Sequence, residues 1–95
     1  MFVSPQVIKN ETQFRREIAD ICVESFMQYI CMHRPYVTQS DMQDVANNIC
    51  KEAKRKRGYL LYPIVSDASI VVGWRRTQSN QKEFSLWILG SRKDN

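Results

Sequence analysis

Hydrophobic patterning divides the chain into a helical first half and a strand-like second half. Residues 10–33 carry apolar side chains three and four positions apart, starting at Phe14, which is the spacing of one face of a helix. The apolar stripe is wide, so we expect this helix to be covered on more than one side. Asn10, with Gln13 three residues later, is typical of a helix start. Pro35 indicates the end, because the residue before a proline disfavours helical geometry.

A second, cleaner apolar stripe predicts a helix over residues 38–57. Thr38 and Ser40 can each cap its start, with an acidic or amide residue three positions later as the partner. Gly58 follows its last turn and can adopt the left-handed backbone conformation that ends many helices. The stripe consists of Met42, Val45, Ala46, Ile49 and Ala53.

The remainder, residues 59–91, has the composition of β-strands. Three runs, YLLYPIV, IVVGWRR and FSLWILG, are rich in β-branched and aromatic residues. The connections SDAS and TQSNQKE are short, which predicts an antiparallel three-stranded meander with IVVGWRR in the centre. Pro63 lacks an amide proton and therefore places the first strand at a sheet edge.

Together these elements predict a single domain over residues 1–95. At 95 residues with 43% hydrophobic content, the chain has room for one modest core. We expect the α+β class: two helices packed on one face of a three-stranded antiparallel meander, in the order αα-βββ. Residues 1–9 form an extended lead-in, because Pro5 disfavours an earlier helix start.

A strand register follows from the loop lengths. A four-residue SDAS loop places Leu61 opposite Trp74 in the first pair of strands. In the second pair, we expect Phe84 to lie opposite Arg76. Leu61, Trp74 and Phe84 then face the helices and form part of the core.

The other face of the sheet carries a candidate contact surface. Tyr62, Arg75 and Trp87 surround Gly73 in this register and would leave a shallow floor on which a nucleic acid base or a partner could stack. In the alternative interpretation, residues 1–9 or a second copy of the protein cover this apolar face.

Positive charge is concentrated in one segment of the chain. The protein has 14 Lys and Arg against 10 Asp and Glu, a net charge of +4, which favours anionic partners. Five of the seven residues 51–57 are basic, although one or two cations would satisfy a helix C-terminus. Either this run is an anion-docking surface, or it is a solvated helix face without a partner. The predicted surface consists of Lys51, Lys54, Arg55, Lys56, Arg57 and Arg76.

No motif indicates catalysis, a cofactor or a metal. The glycines are scattered, the three cysteines lack metal-binding spacing, and a single histidine, His33, cannot complete a zinc site. We therefore expect neither an enzyme nor a metalloprotein, and no cofactor.

Cysteine usage and the N-terminal pattern address localisation. An odd number of cysteines is typical of a reducing compartment. The N-terminal residues lack a signal-peptide pattern, and no apolar stretch approaches the roughly 20 residues that span a bilayer. We expect a cytoplasmic protein that is not secreted and has no membrane partner.

Two functions remain in competition at this stage. The first is a small non-enzymatic binding or regulatory module that docks its basic surface onto nucleic acid or a nucleoprotein complex. The second is a protein-binding inhibitor or adaptor, including a self-associating one, that occludes a site on a larger machine. It would use the second sheet face or the wide apolar stripe of the first helix.

Overall fold

A computed structural model describes residues 3–29, 38–66, 69–77 and 80–88. It confirms the predicted α+β architecture and element order. The elements are α1 (Glu11–Tyr29), α2 (Gln39–Arg57), β1 (Leu61–Val65), β2 (Ser69–Thr77) and β3 (Asn80–Ile88). Seven strand residues are described by backbone alone, namely Ser69, Arg75, Arg76, Thr77, Asn80, Trp87 and Ile88.

The start of α1 is capped as predicted, with one difference. Asn10 Oδ1 accepts the backbone N–H of Gln13 at 3.0 Å, which satisfies one of the free amides of the first turn. The Gln13 side chain does not reach back to the cap; it donates to Glu17 Oε2 at 3.1 Å. Residues 30–33, which we predicted as the last turn of this helix, lie outside the described residues.

At the start of α2, a reciprocal pair of hydrogen bonds selects Thr38 as the cap. Thr38 Oγ1 accepts the Asp41 N–H at 3.1 Å, and Asp41 Oδ2 accepts the Thr38 N–H at 3.1 Å. This is a closed capping box. Ser40, the alternative cap, lies within the helix.

Gly58 ends α2, as predicted, with a backbone φ of 77°. The Gly58 N–H donates to the carbonyl four residues earlier at 3.1 Å, which is the 5→1 bond of the αL motif. The Tyr59 N–H donates to the carbonyl six residues earlier at 3.2 Å. The Gly58 carbonyl accepts the Gln6 N–H at 2.8 Å, and a Cβ at Gly58 would overlap the carbonyl oxygen of Ser4. The lead-in is therefore docked against this glycine.

The two helices contact the sheet unequally. α2 lies across β1 and β2, whereas α1 packs chiefly against α2. Phe14 connects α1 with the sheet, because its ring centroid lies 4.6 Å from that of Phe84. The buried apolar residues are Ile8, Phe14, Ile18, Ile21, Met42, Val45, Ala46, Ile49, Ala53, Tyr59, Ile70, Val72, Trp74 and Phe84.

The register of the first strand pair is as predicted. Leu61 pairs with Trp74 and Val65 pairs with Ile70 in an antiparallel ladder. β2 lies in the centre of the sheet, and β1, with Pro63, lies at an edge.

The predicted register of the second strand pair is wrong by four residues. Phe84 pairs with Val72 rather than with Arg76, because most of the predicted TQSNQKE loop continues the strands. β2 runs to Thr77, and β3 begins at Asn80. The shift is an even number of residues, so Phe84 stays on the core face and is 2% exposed.

Candidate functional site

The five basic residues of the last turns of α2 form what we call the basic cluster, namely Lys51, Lys54, Arg55, Lys56 and Arg57. The structure separates this cluster into two groups. Lys51, Lys54 and Arg55 are spaced i, i+3 and i+4 and are all exposed, so they share one outer face of the helix. We call these three residues the α2 ridge. Lys56 and Arg57 instead form ion pairs toward α1, although Lys56 also lies 3.9 Å from Glu52 of its own helix.

Within the α2 ridge, only the arginine forms an ion pair among the described residues, although the charge of Lys51 also helps to lower the pKa of Glu52. Arg55 Nη2 and Nε lie 2.6 and 3.1 Å from Glu52 Oε1. This hydrogen bond lowers the pKa of the Glu52 carboxyl and raises the pKa of the Arg55 guanidinium. Lys51 and Lys54 form no ion pair within the described part of the chain. Their charges are available to an anionic partner.

Lys56 and Arg57 form long bridges between α2 and α1. Lys56 Nζ lies 3.7 Å from Glu24 Oε1, and Arg57 Nη2 lies 3.9 Å from Asp20 Oδ1. Both carboxylates are more than half exposed, so solvent and salt screen these pairs. The predicted surface is therefore not one uniform patch, since three of its five helix cations have carboxylate partners.

The predicted stacking floor on the second sheet face is filled. Tyr62 pairs with Gly73 across β1 and β2, and a Cβ at Gly73 would overlap the Tyr62 ring. Cross-strand aromatic rings often cover the space that a glycine leaves. Gly73 is consequently buried beneath Tyr62 and is not an open floor.

The other predicted contacts on the sheet are placed by their backbone only. Arg75 and Arg76 lie in β2. Trp87 lies in β3 opposite Ile70, so the prediction that it flanks Gly73 is wrong. The register shifts between Ile70 and Val71, which is typical of a β-bulge. The alternation of apolar residues in the sequence does not reveal this shift. The side chains of Arg75, Arg76 and Trp87 lie outside the described part of the structure.

Sequence reasoning missed a cleft of about 480 Å³ between the lead-in, the start of α1 and the end of α2. We call it the N-terminal cleft. Its charged lining residues are Lys9, Glu17, Lys56 and Arg57. The elements that line it are separated along the chain, so no local motif indicates it.

Tyr59 and Glu17 line the N-terminal cleft side by side. The buried Tyr59 donates its hydroxyl proton to Glu17 Oε1, and Gln13 donates to the other carboxylate oxygen at 3.1 Å. These two hydrogen bonds, that from Tyr59 first, lower the pKa of Glu17. Burial, and then the hydrogen bond to Glu17, raise the pKa of Tyr59 to about 12. No local pattern indicates this contact, because its two partners are 42 residues apart in the sequence.

The described cysteines do not suggest covalent chemistry. Cys22 and Cys50 are free and half-buried, and burial raises the pKa of each thiol to about 11, so the reactive thiolate is disfavoured. No three His, Cys, Asp or Glu side chains in the described ranges come together as a metal site requires. No helix of the described chain has the length and apolar content to cross a membrane.

Comparison with known proteins does not identify the chain. No protein-family model matches it, and neither a curated protein nor a solved structure matches it significantly.

Proposed function

We propose that the protein is a small, non-enzymatic binding module that docks the α2 ridge onto nucleic acid or a nucleoprotein complex. One observation carries this proposal: Lys51 and Lys54 share an exposed helix face and form no ion pair among the described residues. Lysine contacts to backbone phosphates release counterions and give affinity that does not depend on sequence. The net charge of +4 has the sign that such a partner requires.

The ion pairs limit how strong this interaction can be. Arg55 already donates to Glu52, so the ridge contributes between two and three positive charges. We expect weak, salt-sensitive binding, with Arg76 as a candidate further contact. We also propose that the protein acts in the cytoplasm, where free thiols such as Cys22 and Cys50 remain reduced.

The test is the salt dependence of binding to a mixed-sequence DNA duplex, measured by fluorescence anisotropy. Each neutralised phosphate contributes about 0.9 to the log–log slope on duplex DNA. We expect Lys54→Gln to flatten the slope by about that amount. Lys82→Gln is the matched control, because Lys82 is also exposed and forms no ion pair among the described residues, but it lies on β3.

Two results would contradict the proposal. One is the absence of binding to duplex or single-stranded nucleic acid even at low salt. The other is an equal loss of slope in Lys54→Gln and Lys82→Gln, which would mean that only the net charge matters.

A specific observation also favours the second candidate function, a protein-binding inhibitor or adaptor. Val23 and Met27 are each 56% exposed and lie one helical turn apart on α1, on the face opposite the core. Leu60 is 47% exposed beside β1, at the edge of the face that carries Tyr62. Exposed apolar side chains often contact another chain, so Val23 with Met27 and Leu60 with Tyr62 are two separate candidate surfaces. Tyr62, Arg75 and Trp87 remain candidate contacts for a protein partner or a second copy.

Light scattering coupled to size exclusion tests the self-associating form of this candidate. We expect a concentration-dependent rise in mass that Val23→Glu abolishes, because a charge in an apolar interface is costly to desolvate. Thr12→Glu introduces the same side chain at another exposed position of α1 and should leave the mass unchanged. A monomer at every concentration would reject self-association.

A further inference from the structure

We propose that the N-terminal cleft is a second site, separate from the α2 ridge, that binds a phosphomonoester. This group is found on free nucleotides and at the ends of nucleic acid strands. The proposal depends on the charge, volume and existing hydrogen bonds of the cleft, and it does not require the ridge to bind nucleic acid.

The charge of the lining matches this ligand class. Three cations, Lys9, Lys56 and Arg57, line the cleft together with one carboxylate, Glu17, which gives a net charge of +2 for the lining. A phosphomonoester carries about −1.5 to −2 at neutral pH. It would therefore nearly balance the charge of the lining once Lys56 and Arg57 release the carboxylates that they pair with outside the cleft. A carboxylate ligand would leave about half of that charge unbalanced.

The single carboxylate of the lining does not make the cleft a cation-binding site. Both oxygens of Glu17 already accept a hydrogen bond, one from Tyr59 and one from Gln13. The Tyr59 ring is held in turn by an edge-on contact with Phe14, with centroids 5.1 Å apart at 84°. Glu17 therefore already holds Tyr59 and Gln13, and the cations of the lining are the groups left to meet a ligand.

Those cations can change partners at little cost. Lys9 forms no ion pair among the described residues. Lys56 lies 3.7 Å from Glu24 and 3.9 Å from Glu52, and Arg57 lies 3.9 Å from Asp20. All three ion pairs are long and at least partly exposed, so each is weak. A phosphate offers both side chains shorter, charge-assisted hydrogen bonds.

The volume and the apolar wall admit more than an inorganic ion. A cleft of about 480 Å³ lies within the range of small-molecule sites. Val3 and Val7, each 42% exposed, line it beside the cations. This combination favours a phosphate joined to a partly apolar body of nucleoside size.

The experiment is an NMR titration of the full chain with adenosine 5′-monophosphate and, separately, with adenosine. We expect the monophosphate to shift the resonances of Lys9, Arg57 and Tyr59 and adenosine to have little effect. Lys9→Gln and Arg57→Gln should each raise the dissociation constant about tenfold, since each removes a charge-assisted contact. Lys54→Gln removes an equal charge from the α2 ridge and should change this dissociation constant little.

Further ligands separate the two sources of the phosphate. Preference for a 5′-phosphorylated oligonucleotide over its 5′-hydroxyl form would indicate a strand end, and binding of the mononucleotide alone would indicate a free nucleotide. Either result supports the site. Equal affinity for adenosine and its monophosphate, no binding at millimolar monophosphate, or unchanged affinity in both cleft variants would overturn it. Failure of the ridge proposal would appear separately, because Lys54→Gln would then leave the salt dependence of binding to duplex DNA unchanged.

Discussion

At the scale of single residues, Tyr59 connects the parts of the molecule that meet at the end of α2. Its amide completes the helix cap, its ring packs edge-on against Phe14, and its hydroxyl donates to Glu17, 42 residues away in sequence. A phenol in this setting keeps its proton to higher pH, because the anion would be desolvated and would lie beside a carboxylate.

This environment predicts a loss of stability at alkaline pH. The pKa of Tyr59 is raised from 10.0 to about 12, so between these values the unfolded chain releases a proton that the folded chain retains. Stability from this group is fully present below pH 10.0 and declines as the pH rises toward about 12. We expect urea unfolding to show this decline and Tyr59→Phe to reduce it. Tyr62→Phe, the control, should retain it; an equal effect of both variants would contradict the assignment.

Gly73 and Tyr62 allow a second prediction at this scale. Gly73→Ala places a methyl group where the Tyr62 ring lies and should destabilise the protein by about 1–3 kcal/mol through overpacking. In a Tyr62→Ala background the same change should be neutral or stabilising, because alanine costs less backbone entropy than glycine in a strand. Urea denaturation of the four proteins in this double-mutant cycle measures the difference. An unchanged effect would show that the ring does not cover the glycine.

At the scale of elements, α2 is held at both ends by local motifs that its sequence contains. Thr38 and Asp41 close the capping box, and Gly58 provides the left-handed residue after the last turn. The choice between Thr38 and Ser40 as the cap was open in the sequence, because both residue types accept an amide hydrogen bond.

A pair of alanine substitutions checks that choice. Thr38→Ala removes the acceptor for the Asp41 amide and should destabilise the protein by about 1 kcal/mol. Ser40→Ala lies inside the helix, where alanine has the higher propensity, and should have no cost. Thermal unfolding followed by far-ultraviolet circular dichroism compares the stabilities of the two variants. Equal destabilisation by the two variants would contradict Thr38 as the cap.

The β2–β3 hairpin shows where pattern reasoning fails at the element scale. Its outer part, which includes Gln81, Lys82 and Glu83, is exposed and has no apolar alternation to identify it as a strand. Cross-strand backbone hydrogen bonds extend the ladder through these polar residues. Their polar composition therefore predicted a loop, and this error displaced the predicted register of β2 and β3.

At the scale of the whole molecule, the lead-in belongs to the folded unit formed by the helices and sheet. Ile8 is 4% exposed and lies in the main core cluster, and the Gln6 amide donates to Gly58. The lead-in also forms one wall of the N-terminal cleft. The extent of the domain, residues 1–95, stays a prediction.

Two neighbouring substitutions test whether the lead-in contributes to global stability. Ile8→Ala should cost about 2–5 kcal/mol, the range for truncating a buried aliphatic side chain. Val7→Ala, at a position 42% exposed, should change stability by less than about 0.5 kcal/mol. Urea denaturation measures both changes in the free energy of unfolding, and each variant should still unfold in a single cooperative transition. An Ile8→Ala protein as stable as the wild type would mean that the lead-in is not part of the core.

The sequence by itself determined the fold class, the start of α1, the end of α2 and the edge position of β1. These features depend on periodicity, capping residues, glycine and proline, which act over a few neighbouring residues. Only the tertiary structure decided the β2–β3 register, the covering of Gly73 by Tyr62, the division of the basic cluster and the N-terminal cleft. Each of these depends on side chains from separate elements meeting in space. The pairing of Arg57 with Asp20 or of Tyr59 with Glu17 has no signature in either segment alone.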